Sequence, residues 1–124
     1  HEELIRTGRV ARRWYVSPPD HLNYFTAQSL SGLAHDTGWC VADLWGDFPI
    51  DWFLANRHSN YVAEASRGPA AHEARLFLES VIGAADLESQ IAYYRALAGV
   101  GLGRNLIAFM RPIASPTSGT QLSG

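Results

Sequence analysis

The apolar positions of this chain fall into helix-period and strand-period stretches punctuated by glycine and proline. Leu30, Leu33 and Ala34 recur at helical spacing and Gly38 stops the pattern, which predicts a helix over about 27–36. Trp39 to Trp45 follows at once, rich in large and β-branched side chains and bounded by Gly38 and Gly46, so it reads as a strand with Asp43 as its awkward member. Asp47-Phe48-Pro49-Ile50 turns the chain, and 51–56 reads as a short helix with a very apolar face that must cover something. The stretch 56–68 is polar apart from Tyr61 and Val62 and reads as loop. Pro69 suits a first helical turn, and Ala70, Ala74, Phe77 and Val81, widened by Leu78 and Ile82, predict a helix over 69–83. Asp86 can cap the next helix, whose single face of Leu87, Ile91, Tyr94 and Ala98 runs until Gly99 and Gly101, and two helices in tandem make a hairpin. Arg104 to Arg111 carries a nearly continuous apolar run and reads as a buried strand ended by Pro112.

Residues 1–13 support at most a short helix, and 113–124 are Ser, Thr, Pro and Gly with few apolar groups, which predicts a disordered tail after a single folded unit over 1–112.

The densest chemistry lies between these patterns, in Trp14-Tyr15-Val16-Ser17-Pro18-Pro19-Asp20-His21-Leu22-Asn23-Tyr24-Phe25. The two prolines exclude helix and central strand, so this is an ordered loop. Thr26 can cap the helix that follows, and Phe25 before it can pack on Leu30. A loop pinned to a helix start can offer His21, Asn23 and Tyr24 to a ligand at fixed geometry, with the imidazole able to move a proton near neutral pH. The plain alternative makes Trp14, Tyr24 and Phe25 core anchors and leaves His21 bonding a backbone carbonyl.

Composition narrows the classes. At 124 residues with 47% hydrophobic content the chain is one domain or part of one, and short for a complete α/β enzyme. No run approaches the ~18 apolar residues of a membrane span. The net charge is −2, every basic residue is an arginine, and beyond the Arg9, Arg12, Arg13 cluster they are scattered, so nothing suggests a nucleic-acid surface. That cluster reads as a solvated face, with contact to an anionic substrate group as the alternative. The lone Cys40 excludes an internal disulfide and fits a reducing compartment, and it sits in an apolar run as a packed thiol. The five histidines have no metal-ligand spacing, which predicts no metal site. The chain opens on His-Glu-Glu without a secretory pattern, so a cytoplasmic location is expected. Gly99-Val100-Gly101-Leu102-Gly103 invites a phosphate-loop reading, but these glycines follow a helix and open a strand, the reverse of the dinucleotide fingerprint, and read as helix-stop and turn chemistry.

Pro19-Asp20-His21-Leu22-Asn23-Tyr24-Phe25, a helix, Gly38, a strand, Asp47-Phe48-Pro49, Asn60-Tyr61-Val62 and late Gly103-Arg104, in that order, resemble the C-terminal half of class I S-adenosylmethionine-dependent methyltransferases of a small-molecule group. The likeness covers roughly residues 14–111. It implies an α/β fold: the C-terminal part of a Rossmann-like sheet, with an antiparallel strand pair at about 39–45 and 104–111 and an inserted helical cap on the substrate side. It also implies that S-adenosyl-L-methionine is bound by a glycine-rich loop and an acidic residue that this chain lacks, so the chain looks like a fragment with no cofactor-binding residues of its own.

On that resemblance the chain acts on a small, hydroxylated or sugar-like acceptor, which the protein positions and deprotonates during an in-line displacement. His21 is the expected base or hydrogen-bonding partner of the acceptor, Tyr24 the orienting group, and Tyr15, Asn23 and Asp47 the substrate contacts. An exposed strand edge would invite a second copy or the missing N-terminal half. The rival is a non-enzymatic helical module that binds a partner protein or peptide through the aromatic loop.

Overall fold

The computed structural model describes residues 1–114. Its elements run α1 (Glu2–Arg6), α2 (Ala27–Asp36), β1 (Trp39–Gly46), α3 (Asp51–Ala55), a 3-10 turn (Ala65–Arg67), α4 (Gly68–Gly83), α5 (Leu87–Gly99) and β2 (Leu106–Pro112). The expected tail lies outside the described residues from 115 on. Its first residue does not: the Ile113 N–H donates to the Gly38 carbonyl at 2.9 Å.

Local chemistry sets the helix ends. Thr26 and Ser29 form a reciprocal capping box, the Ser29 N–H reaching Thr26 Oγ1 at 3.1 Å and the Thr26 N–H reaching Ser29 Oγ at 2.9 Å. Asp86 caps α5 by accepting from the Ser89 N–H at 2.9 Å. The far end of α5 closes as a Schellman motif: Leu102 N–H donates to the Leu97 carbonyl, Gly101 N–H to that of Ala98, and Gly101 takes φ +73.

β1 and β2 pair antiparallel, the pairing expected from sequence, in a sheet of two strands. The register runs from Trp39 opposite Pro112 to Gly46 opposite Leu106, with a bulge at Ala42 between Val41 and Asp43. β2 therefore starts two residues later than the predicted 104 and ends on Pro112, one residue past the predicted 111. Its missing N–H is tolerated because it stands at the end of a strand with an unpaired outer edge. The bulge sets Cys40, Asp43 and Trp45 opposite Arg111, Phe109 and Ile107, which alternate along β2 and so share one face.

α2 and α5 both lie against β1. The Trp45 ring stacks on Tyr94 at 6.3 Å and meets Phe109 at 4.7 Å. Asp43, awkward in an apolar strand, accepts from Arg95 Nε at 2.8 Å and Nη2 at 2.7 Å, from Trp45 Nε1 at 2.8 Å and from the Leu44 N–H at 3.0 Å. A second core forms where Phe48, Pro49, Ile50 and the fully buried Leu54 bring α3 onto α1 and Val10. This is what the apolar face of the short helix covers. α4 is different: Ala71 is buried, whereas Phe77 is 67% and Val81 54% exposed, so most of the predicted stripe faces outward. Among the described residues no helix is long and apolar enough to cross a membrane.

Candidate functional site

The loop from Trp14 to Phe25 is held by its own polar groups. The Tyr24 hydroxyl accepts from the Ser17 N–H at 2.8 Å and donates to the His21 carbonyl at 3.0 Å, while the His21 N–H donates to the Ser17 carbonyl at 2.9 Å. Both backbone polar groups of His21 are therefore pinned. Its ring is exposed and makes no hydrogen bond among the described residues. The turn around this ladder contains a cis peptide between Pro18 and Pro19.

Beside the loop stands an aromatic cluster. The Tyr15 ring lies 5.8 Å from Tyr24, 5.9 Å from Trp14 and 5.2 Å from the His1 imidazole, and Trp14 in turn meets Tyr61 edge-on at 6.5 Å. Two carboxylates fasten the cluster. Glu2 accepts from Arg13 Nε at 2.9 Å and Nη2 at 3.0 Å and from the Tyr15 hydroxyl. Those bonds, the arginine's first, hold the Glu2 carboxyl down at about 2, and burial followed by the bond to Glu2 pushes the Tyr15 phenol up. The buried Asp51 binds His1 Nδ1 at 2.7 Å and so ties the cluster to α3. Tyr61 continues it into a cleft of about 190 Å³ lined with Phe53, His72 and Arg75, where burial raises its phenol pKa.

Of the residues singled out from sequence, the loop brings together His21, Tyr24 and Tyr15. Asn23 is exposed on the same loop. Asp47 stands elsewhere, at the end of β1, where its carboxylate takes the Asn105 N–H at 2.7 Å and Asn105 Nδ2 at 2.6 Å and its own N–H returns to the Asn105 carbonyl. This clasp joins the strand ends. The core-anchor alternative does not describe Tyr24 and Phe25, which are 45% and 46% exposed; Trp14 is half-buried. Sequence reasoning missed His1, Asp51 and Tyr61 as members of the cluster. Tyr61 did leave a signal, as the one tyrosine in a polar loop, but the pairing of His1 with Asp51 spans fifty positions and has no local signature.

At Gly46, where β1 leads toward α3, a Cβ would overlap the Leu102 carbonyl oxygen and stand 3.0 Å from the Ala98 nitrogen, so the end of α5 and the segment after it pack directly on the end of β1. Gly103 takes φ +115, and a Cβ there would stand 3.0 Å from the Asp47 backbone nitrogen and carbonyl oxygen. Gly103 therefore serves a close chain crossing, whereas Gly99 and Gly101 have open space beside them. No family model, curated protein or solved structure matches this chain.

Proposed function

We propose that this chain is the C-terminal, substrate-side portion of an S-adenosylmethionine-dependent methyltransferase acting on a small, hydroxylated or sugar-like molecule. The observation that carries the reading is the antiparallel pairing of β1 with β2 across some sixty residues of mostly helical sequence. That is the closing strand pair expected of such a sheet. Its apolar flanks Trp39, Ile107, Phe109 and Met110 are exposed among the described residues, as they would be if neighbouring strands and helices belonged to another part of the protein. The free strand edges are where the N-terminal half, or a second copy, would add a strand. The cofactor is assigned to residues outside this chain.

What this chain contributes is acceptor positioning and a proton acceptor. His21 is held by its backbone with its ring open to solvent, so it takes the role of base. Tyr24, whose hydroxyl is used by the loop itself, is a positioning residue that acts through His21. Tyr15 and Asn23 flank the acceptor, and Asp47 fixes the sheet end beneath.

The reading frame upstream of His1 tests the proposal. A strand-like run followed by Gly-x-Gly within about 150 preceding residues is expected, together with transfer of labelled methyl from S-adenosylmethionine to a small molecule by the full polypeptide. An unrelated upstream domain and no transfer would overturn it. A second reading has an observation of its own: Leu22, 74% exposed beside Phe25, makes an apolar tip suited to a partner protein or peptide. In that case Leu22→Asp abolishes partner capture and no methyl transfer is seen.

A further inference from the structure

Three arginines from separate parts of the sequence converge on one open groove. Arg9 comes from the segment after α1, Arg57 from the loop after α3, and Arg67 from the 3-10 turn before α4; with His58 they line a groove of about 490 Å³ whose floor includes Leu54 and Asn60. The groove is built by specific contacts. Asn60 Nδ2 donates to the Arg9 carbonyl at 2.9 Å and to the Leu54 carbonyl at 3.0 Å, which docks the Arg9 segment on α3. Arg67 donates to the Arg57 carbonyl and pairs with Glu64, and Arg57 Nε donates to His58 Nε2 at 3.0 Å.

The charges do not cancel. Among the described residues Arg6, Arg13, Arg67, Arg75 and Arg95 have carboxylate partners, but Arg9 and Arg57 have none. Glu64 pairs with Arg67 alone, so the three arginines lining the groove leave an excess of two positive charges. The chain carries no lysine, and guanidinium forks match the planar or tetrahedral oxygen sets of carboxylates and phosphates in a way a point charge does not.

We propose that this groove binds a small oxyanion-bearing ligand, a phosphate ester or a carboxylate, through Arg9, Arg57 and Arg67. Arg9 and Arg57 supply guanidinium groups that have no carboxylate partner among the described residues, and Arg67, already oriented by Glu64, closes one side. The proposal stands apart from the methyltransferase reading, since it concerns binding by residues of this chain and needs no cofactor.

The test is a titration followed by ¹H–¹⁵N NMR of the arginine Nε–H signals at constant ionic strength in chloride. Inorganic phosphate is the probe in one arm and succinate in the other. Saturable shifts at Arg9, Arg57 and Arg67, and not at Arg12 or Arg104, are expected with at least one probe, and the arm that saturates at lower concentration identifies the oxygen set. Arg9→Ala should weaken that binding by roughly tenfold or more, as loss of a charged hydrogen-bonding partner does, while Arg12→Ala leaves it unchanged. Linear, unsaturated shifts in both arms, or equal weakening by the two variants, would overturn the site. The wild-type titration alone decides the matter should Arg9→Ala fail to fold.

Discussion

Replacing Asn60 by alanine probes a contact that docks residues 1–13 on α3. The side chain is 3% exposed and uses every bond it can make without a third donor: Nδ2 reaches the carbonyls of Arg9 and Leu54, and Oδ1 takes the N–H groups of Val62 at 3.1 Å and Ala63 at 3.0 Å. Truncation strands four backbone groups. Three of these contacts are only part-buried, so water can re-enter at a cost of about 0.5–1 kcal/mol each, whereas the Leu54 contact is buried and its carbonyl bears a desolvation cost of about 1–3 kcal/mol. The sum is about 2.5–6 kcal/mol, or a fall in Tm on the order of 10–20 °C for a domain of this size. Urea unfolding followed by tryptophan fluorescence measures it, with a shifted midpoint and an unchanged slope expected. Asn60→Asp sharpens the test, because a carboxylate oxygen would then face the two carbonyl oxygens that Nδ2 now serves. It should cost at least as much as alanine and more as the pH rises. Asn105→Ala, which breaks the exposed clasp to Asp47, should cost under about 1 kcal/mol. A loss below about 1 kcal/mol for Asn60→Ala, or a neutral Asn60→Asp, would refute the view that this amide fastens residues 1–13 to the rest.

Three further outcomes follow from the geometry. The Arg95 guanidinium, with help from the Trp45 and Leu44 N–H groups, holds the Asp43 carboxyl at about 2. This is below the unfolded value of about 3.9, so its stabilisation is present above that value and is lost as pH falls through about 2. Asp43→Asn should therefore flatten the acid loss of the urea midpoint relative to wild type, and identical pH slopes would show the pair to be inert. Gly46→Ala should destabilise by about 1–3 kcal/mol or more, because its Cβ meets the Leu102 carbonyl oxygen and stands 3.1 Å from the Leu97 Cβ; an unchanged midpoint would mean the α5–β2 connection gives way freely. His21→Ala in the full polypeptide should lower methyl transfer by about 10²–10⁴ at an unchanged urea midpoint, since its ring bonds nothing among the described residues, and lost stability with normal turnover would make His21 structural.

Much of the fold is legible because its signals are local. The Thr26 and Asp86 caps, the glycine stops at Gly38 and Gly101, and the dense apolar runs of both strands place nearly every element within a residue or two. The pairing of the two strands was legible only through the resemblance and by elimination, as no other strand-like segment was found. The details that failed are non-local. Asp43 looked misplaced because its partner Arg95 lies fifty-two positions away, and the bulge at Ala42 that sets it opposite Phe109 leaves no mark in residue types. Asp47 was read for its chemistry, whereas its geometry is a clasp to Asn105, fifty-eight positions on. In the site, ring density identified the loop, but only three-dimensional contacts reveal that the Tyr24 hydroxyl is spent on the loop backbone and that the cluster extends to His1 and Tyr61.

The stripe on α4 carries the same lesson further. Helical periodicity states that Phe77, Leu78 and Val81 share a face with Ala74, and it is silent about what that face meets. Here the small side chain of Ala71 turns inward and the large ones outward, the reverse of the order in which burial is favourable: each large apolar side chain left in water forgoes about 1.5–3 kcal/mol. A sequence that spaces large apolar residues so regularly, in a chain whose sheet has both outer edges free among the described residues, is consistent with packing against more protein than these residues supply. The strands and the helix point the same way independently, since one lacks hydrogen-bond partners and the other lacks apolar cover. The sheet and the outward face of α4 are therefore where an upstream half of the proposed enzyme would dock, and the pinned His21 loop and the arginine groove are the parts whose behaviour this chain can report alone.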